Sequence, residues 1–503
     1  MQRQIWIAVA TIAALAVGCG MGDDAAYAPG SDAGWYPPGD AAAMADGAAP
    51  TEPIPPADYG KWVENDFVET SKEPLSTFGI DVDTASYTIM RQSLSQGALP
   101  DPQGVRIEEY VNYFGYTYPQ PDEGPFSINM EAAPSHFGAG YHLLRIGLQG
   151  LDLPESERKP ANLVFLVDVS GSMSGGNKLP LVKSALTLLV DKLGAEDTLG
   201  IVTYSSSVNE LLQPVKVTDK SAILAAIGKL AASGSTAGGP GIQAAYTMAK
   251  GAFITGGINR VVLCTDGDFN VGLTGQALVD LVSQKRDEGI TLSVLGFGMG
   301  NYKDSFLEDL SNNGDGNYAY IDTQKEAEKV FCEKLLGTLQ VIAKDVKVQV
   351  EFSPKAVFKY RLVGYENRLL TPDDFTDDTA DAGEIGAGHR VTAFYEIQVL
   401  GGLAAEDVLA TVRFRYKEPD ETVSKELTRV IRAQEQTAAF AQATEDFRFA
   451  AAVVELAEIL RHSKHSQGAK FDEMTDIASA TAGNDQDRLE LVSLVGKAKA
   501  LWP

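Results

Sequence analysis

Leu163-Val164-Phe165-Leu166-Val167-Asp168-Val169-Ser170-Gly171-Ser172 is the stretch whose reading decides the fold. Its first five residues are a continuous apolar run, which predicts a strand buried on both faces of a parallel sheet. The Asp-x-Ser-x-Ser segment then leaves the carboxyl end of a central strand, the edge where open α/β sheets place their ligand sites. One carboxylate and two hydroxyls around a turn form a cluster of hard oxygens. Such donors, with few protein charges, suit Mg2+, which keeps waters and accepts only one or two carboxylates.

Two later segments extend the cluster. Gly234-Ser235-Thr236-Ala237-Gly238-Gly239-Pro240 reads as a tight loop before a helix beginning near Gly241, and it offers the Thr236 hydroxyl. Val261-Val262-Leu263-Cys264-Thr265-Asp266-Gly267 reads as a second buried strand ending in a carboxylate and a turn glycine. Asp-x-Ser-x-Ser alone is a weak signal, because Ser, Asp and Gly are ordinary turn residues. The three elements in this order, with strand and helix patterns between them, resemble the von Willebrand factor type A domain and its metal-ion-dependent adhesion site. The resemblance implies that Ser170, Ser172 and Thr236 are direct ligands and that Asp168 and Asp266 act mostly through water. It implies Mg2+ as cofactor, with Ca2+ or Mn2+ as alternatives. Three neutral oxygens would leave the cation electrophilic, with a coordination place for an acidic group from a protein partner. Asp268 is expected to be a solvated loop carboxylate.

From Ala161 to about Lys344 strand and helix patterns alternate. Strands are expected at 162–168, 198–204, 208–213, 259–265, 290–297 and 317–321, and helices at 178–193, 219–231, 241–254, 274–288, 303–312 and 324–343. The fold class is therefore α/β: a doubly wound, Rossmann-like sheet with helices on both faces. A flanking α+β region adds antiparallel strands and C-terminal helices. Asn312-Asn313-Gly314-Asp315-Gly316-Asn317 lacks the glycine and glutamate offsets of an EF-hand and reads as a turn.

Residues 59–160 form an upstream unit. Asp83 or Thr84 is expected to cap a helix, a second short helix spans Val105 to Phe114, and strands follow at 126–130 and 141–148. For Asp81-Val82-Asp83 a capping role is the commoner explanation than a metal pair. Downstream, 346–352, 391–399 and 408–416 alternate as strands with one wet face. Phe447, Ala450, Val454, Ala457 and Leu460 share a helical face, and a last helix runs from about Gln486 to Leu501. Ser76 to Tyr87, Arg106 to Phe114, Gly364 to Arg368 and Asp381 to His389 resemble the N-terminal and C-terminal segments of a bacterial family of type A domain lipoproteins. Domains are thus expected at 59–160, 161–345 and 346–503. Strand 162–168 starts at the edge opposite the metal, and helix 324–343 would end there. The two flanks are therefore expected to pack together on that side, leaving the metal edge open.

The first 58 residues point to an envelope protein. An apolar stretch from Ile5 to Val17 behind Arg3 is short for a membrane span and fits a secretory signal. Leu15-Ala16-Val17-Gly18-Cys19 resembles a bacterial lipoprotein signal over residues 1–19, which implies lipidation of Cys19 and a membrane contact through a lipid anchor. Gly20 after the cysteine implies the outer membrane in a Gram-negative cell. Residues 20–58, rich in Ala, Gly, Pro and Asp, are expected to be a flexible tether.

Composition excludes other partners. With 42 Lys and Arg against 68 Asp and Glu, the net charge is −26. No basic stripe exists to neutralise phosphates, which argues against nucleic acid. Cys264 and Cys332 are expected to be packed thiols. No His-Glu-x-x-His, phosphate-binding glycine loop or Gly-x-Ser-x-Gly elbow occurs, so no catalytic residue is assigned and a non-enzymatic role is expected. His462 and His465, three apart, read as helix-end residues before they read as metal ligands. The expected function is capture of a protein partner through the metal. The alternatives are a scaffold or assembly factor of an envelope complex and, behind it, a metal-assisted hydrolase.

Overall fold

The run Leu163 to Val167 lies inside a sheet of six strands. Their order is Tyr318–Ile321, Thr291–Phe297, Ile258–Thr265, Ala161–Asp168, Thr198–Tyr204 and Val208–Lys216. The structure is a computed structural model and describes residues 59–60, 62–235, 239–267, 275–298, 304–334, 339–466 and 470–503. The first five of these strands pair in parallel, and Val208–Lys216 closes the edge as an antiparallel hairpin partner of Thr198–Tyr204. Every residue of Ala161–Asp168 is buried, because helices cover both faces. Leu163, Phe165 and Val167 face one core with the helices Leu179–Val190 and Lys220–Lys229. Val164 and Leu166 face the other, with Gly239–Gly251, Gln276–Asp287 and Asp304–Asn313. This is the doubly wound α/β sheet.

The expected helix over 324–343 is corrected. The helix Gln324–Glu328 passes into a π-helical segment, Lys329–Lys334, and a strand already begins at Val341. Val330, Phe331 and Leu339 all reach one core, so the apolar spacing continues as if helical. The β-branched pair Val341-Ile342 instead starts a strand that runs to Phe352, across the expected boundary at 345/346. Its neighbours Leu75–Gly79 and Val408–Lys417 hold it from both sides.

The flanks interleave strand by strand. One antiparallel sheet has the order Val68–Glu69, Val357–Val363, Arg390–Val399, His142–Gly150, Phe126–Pro134. The other has the order Leu369–Leu370, Leu75–Gly79, Val341–Phe352, Val408–Lys417, Lys425–Arg432. Alternation sorts the first sheet's side chains. Leu144, Leu362 and Tyr395 enter the core between the sheets, while Leu143, Val363 and Phe394 face a helical layer. That layer combines Ala85–Ser95 and Ile107–Asn112 with Glu445–Leu460, Phe471–Thr481 and Gln486–Leu501. The result is sheet on sheet on helices, with chain from both flanks in each layer. Among the described residues, no helix is long and apolar enough to cross a membrane.

Helix Ala85–Ser95 departs from the expectation that the flanks stay away from the metal edge. It lies along the edge strand Tyr318–Ile321, where the Thr88 hydroxyl donates to the Tyr320 carbonyl at 2.8 Å. Arg91 clamps Asp322 and Glu326, with Nε to Asp322 Oδ2 at 2.9 Å. Thr84 holds the N-cap position of this helix. Asp83 does not cap it, and instead accepts the Tyr318 amide at 2.8 Å.

Candidate metal centre

Parallel pairing fixes the site. Val167 lies opposite Cys264, so the two strands deliver Asp168 and Asp266 side by side at their carboxyl ends. The chain turns at Ser170, whose amide donates back to Asp168 Oδ1 at 2.8 Å. This turn brings Ser170 Oγ to 2.9 Å from Ser172 Oγ. A third segment is stitched alongside: Ser233 N donates to the Val169 carbonyl at 2.7 Å, and Gly171 N to the Gly234 carbonyl at 2.9 Å. Ser235 N then donates to Ser206 Oγ at 3.0 Å. The loop that precedes Thr236 is thus placed against the serine loop, and Thr236 itself lies outside the described residues. So does Asp268, as does Cys19 far upstream.

The site is polar and dry at its base. Asp168, Ser170 and Asp266 are 0%, 1% and 4% exposed, and Ser172 is open to solvent. Asp168 Oδ2 and Asp266 Oδ1 are buried; the Tyr204 hydroxyl hydrogen-bonds the Asp168 carboxylate, and Asp266 Oδ1 accepts no hydrogen bond among the described residues. Burial pushes the Asp168 carboxyl up to about 6, opposed by the hydrogen bonds from Ser170 and Tyr204 and reinforced by the charge of Asp266. Two buried carboxylates, one with an unbonded oxygen, beside two converging hydroxyls are what a hard divalent cation satisfies. The residues present therefore fit the expected metal.

A residue that motif reading did not single out completes the site. Lys178 Nζ donates to Asp266 Oδ2 at 2.9 Å, with the lysine side chain only 15% exposed. Its stem crosses Gly298, a residue at φ +75° where a Cβ would lie 2.2 Å from Lys178 Cε. Only glycine leaves room for that crossing. Lys178 is also the N-cap residue of helix Leu179–Val190, with no side-chain capping bond. A cation is the wrong charge for that end of a helix, and this was the one signal in the sequence that could have marked it.

Two acidic clusters lie elsewhere. Asp81, Asp83 and Glu308 approach one another closely, but Arg368 Nη2 stands among them at 3.1, 3.7 and 4.0 Å. Asp315, Asp381 and Glu384 form the second, which Arg286 enters at 3.6 and 3.1 Å from the two aspartates. Asp315 takes φ 47° in the turn before Tyr318–Ile321. His462 stacks on Trp502 and His465 packs edge-on against Phe67, so the two imidazoles serve different contacts. Cys264 and Cys332 are not joined by a disulfide.

Comparisons with known proteins follow the same divisions. Residues 162–333 match the family model described as von Willebrand factor type A domain. Residues 55–145 match "von Willebrand factor", and 337–501 match "Uncharacterized protein YfbK, C-terminal". The chain is 37% identical over 471 residues to the protein YfbK of Escherichia coli strain K12, covering 87% of this chain and 80% of that one. Among solved structures, a von Willebrand factor type A protein from Catenulispora acidiphila covers 75% of this chain and 91% of its own at TM-score 0.41 and 17% identity. Proximal thread matrix protein 1 of the mussel byssus, described with a zinc-occupied adhesion-site motif, covers 38% of this chain and 47% of its own at TM-score 0.30 and 21% identity.

Proposed function

This chain belongs to the family of Escherichia coli YfbK, with a von Willebrand factor type A domain at its centre, and from that premise we propose that it is a partner-binding protein of the cell envelope. The partner is a protein that presents an acidic side chain to a divalent cation, Mg2+ before Ca2+ or Mn2+. Ser170, Ser172 and Thr236 hold the cation, and Asp168 and Asp266 orient its waters. The cation, when bound, supplies Lewis acidity toward one carboxylate. The single observation that carries this reading is the convergence of two buried carboxylates, Asp168 and Asp266 with its unbonded Oδ1, next to an exposed serine hydroxyl.

A binding role is favoured over a hydrolytic one by what surrounds the site. Asp168 is buried, Asp266 is tied to Lys178, and all five histidines (His136, His142, His389, His462, His465) lie in the flanks. An exposed side-chain base is therefore wanting among the described residues at this edge, since both carboxylates are buried. The chain is held to the membrane by a lipid on Cys19, in the outer membrane if the source is Gram-negative.

The test is a pull-down from envelope extracts with the purified chain in Mg2+ and in EDTA. Capture of a defined protein in Mg2+ alone supports the reading. Capture that EDTA leaves unchanged points to a metal-independent scaffold, and turnover of a hydrolysable substrate by the Mg2+ form overturns the binding assignment.

A further inference from the structure

The metal-ion reading above leaves one charge unexplained, and this inference rests on that reading. Asp168 and Asp266 place two carboxylates at the base of the site. Lys178 places one ammonium against the second of them, at 2.9 Å. The ammonium is held there by construction. Its stem passes over Gly298, where a Cβ would collide with Cγ, Cδ and Cε at 2.5, 2.8 and 2.2 Å. It also passes Gly175, where a Cβ would touch Cγ and Cδ at 3.6 Å. The carbonyl of Gly298 accepts from the Tyr320 hydroxyl, which also approaches Gln92 on helix Ala85–Ser95. The lysine's track is thus fixed by the strand ends and by a helix of the N-terminal flank.

We propose that Lys178 is a built-in counter-ion that competes with the divalent cation for Asp266 and sets the metal affinity of the site. A like charge held beside a cation site opposes binding, and the opposition grows as water is excluded. It also satisfies Asp266 Oδ2 while the site is vacant, which spares the fold an uncompensated buried carboxylate. The lysine therefore trades metal affinity for stability of the metal-free form. The site then fills only where the divalent cation is plentiful, or where a partner's carboxylate supplies the negative charge that Lys178 has cancelled.

The experiment is calorimetric titration of the full mature chain with Mg2+ alone and with Mn2+ alone, in the wild type, Lys178→Met, Lys178→Gln and Asp168→Ala. Lys178→Met keeps most of the stem that lies on Gly298, and Lys178→Gln removes the charge with a polar end. Both are expected to bind each cation about tenfold tighter than wild type. Both should also show a lower melting temperature in EDTA and a larger rise on adding Mg2+. Tighter binding in either folded variant supports the proposal, as does binding by a variant when the wild type shows none. Wild-type binding that neither variant improves overturns this proposal and leaves the metal reading standing. If Asp168→Ala binds as wild type does, or if no form binds either cation, the metal reading fails and takes the proposal with it.

Discussion

Gln349 donates through Nε2 to the Thr77 hydroxyl at 3.2 Å, although the two residues are 272 positions apart. They are register partners in an antiparallel ladder between Leu75–Gly79 and Val341–Phe352. The whole type A domain is spliced between them. A sheet edge that belongs to one flank is thereby satisfied by the other.

Neither flank should fold alone. Residues 346–503 expressed in isolation lose the strand Leu75–Gly79, and with it one side of Val341–Phe352. They also lose His142–Gly150 from the middle of the other sheet. The expected outcome is no cooperative melting transition by circular dichroism. Mixing with a separately made 59–160 should restore one. A cooperative transition for 346–503 by itself would count against the interleaved architecture.

Asp168→Ala should abolish Mg2+ binding and partner capture. The residue is buried at the strand end, not on an exposed loop. Its removal is nonetheless expected to leave metal-free stability within about 1 kcal/mol, since the lost Ser170 contact is offset by relief from burying a charge. Melting curves in EDTA and calorimetry in Mg2+ separate the two effects. Unchanged affinity would remove Asp168 from the site.

The contribution of Glu108 to stability should fall as the pH rises from acid to neutral. Burial pushes the Glu108 carboxyl up to about 7, with help from the charges of Glu366 and Asp81. Burial likewise holds Asp83 and Glu109 well above the carboxylate range. A raised folded-state value means that the folded form keeps its proton longer than the unfolded chain does. For Glu108, stability is therefore highest below about 4.5 and declines until about 7, where the decline ends. Glu108→Gln preserves an acceptor for the Tyr365 amide and should remove about 1–3 kcal/mol of this slope. Denaturant unfolding at pH 5.5 and 8 measures it, and an identical slope in the variant would exclude Glu108 as a contributor.

Cys19→Ser should release the chain from membranes or leave it held by an uncleaved signal, because acyl chains supply the membrane affinity. Fractionation with mass determination of the N-terminus decides this. A processed variant that still sediments with membranes would refute the lipid anchor.

Much of the central sheet was legible because a strand buried on both faces writes itself as an unbroken apolar run, as Leu163 to Val167 does. The cluster of Asp168, Ser170 and Ser172 was legible because its members lie within five residues. Lys178 was not, since its partner Asp266 is 88 residues away and the contact depends on the space above Gly298. The end of the helix at 324 was misread for a related reason. Val330, Phe331 and Leu339 bury themselves against the same core whether the chain between them is α-helical or not. The placement of Ala85–Ser95 on the sheet edge was likewise hidden, because Arg91 finds Asp322 and Glu326 only in three dimensions.

The splice has a mechanical consequence. The chain enters the type A domain from His142–Gly150, in one sheet, and leaves it through Val341–Phe352, in the other. A pulling load applied at the far edge is divided between two anchorages in different layers. Each anchorage is an interior strand, bonded on both of its sides. Neither can be peeled away as a free margin could, so the tug on the handle is shared by the whole sandwich.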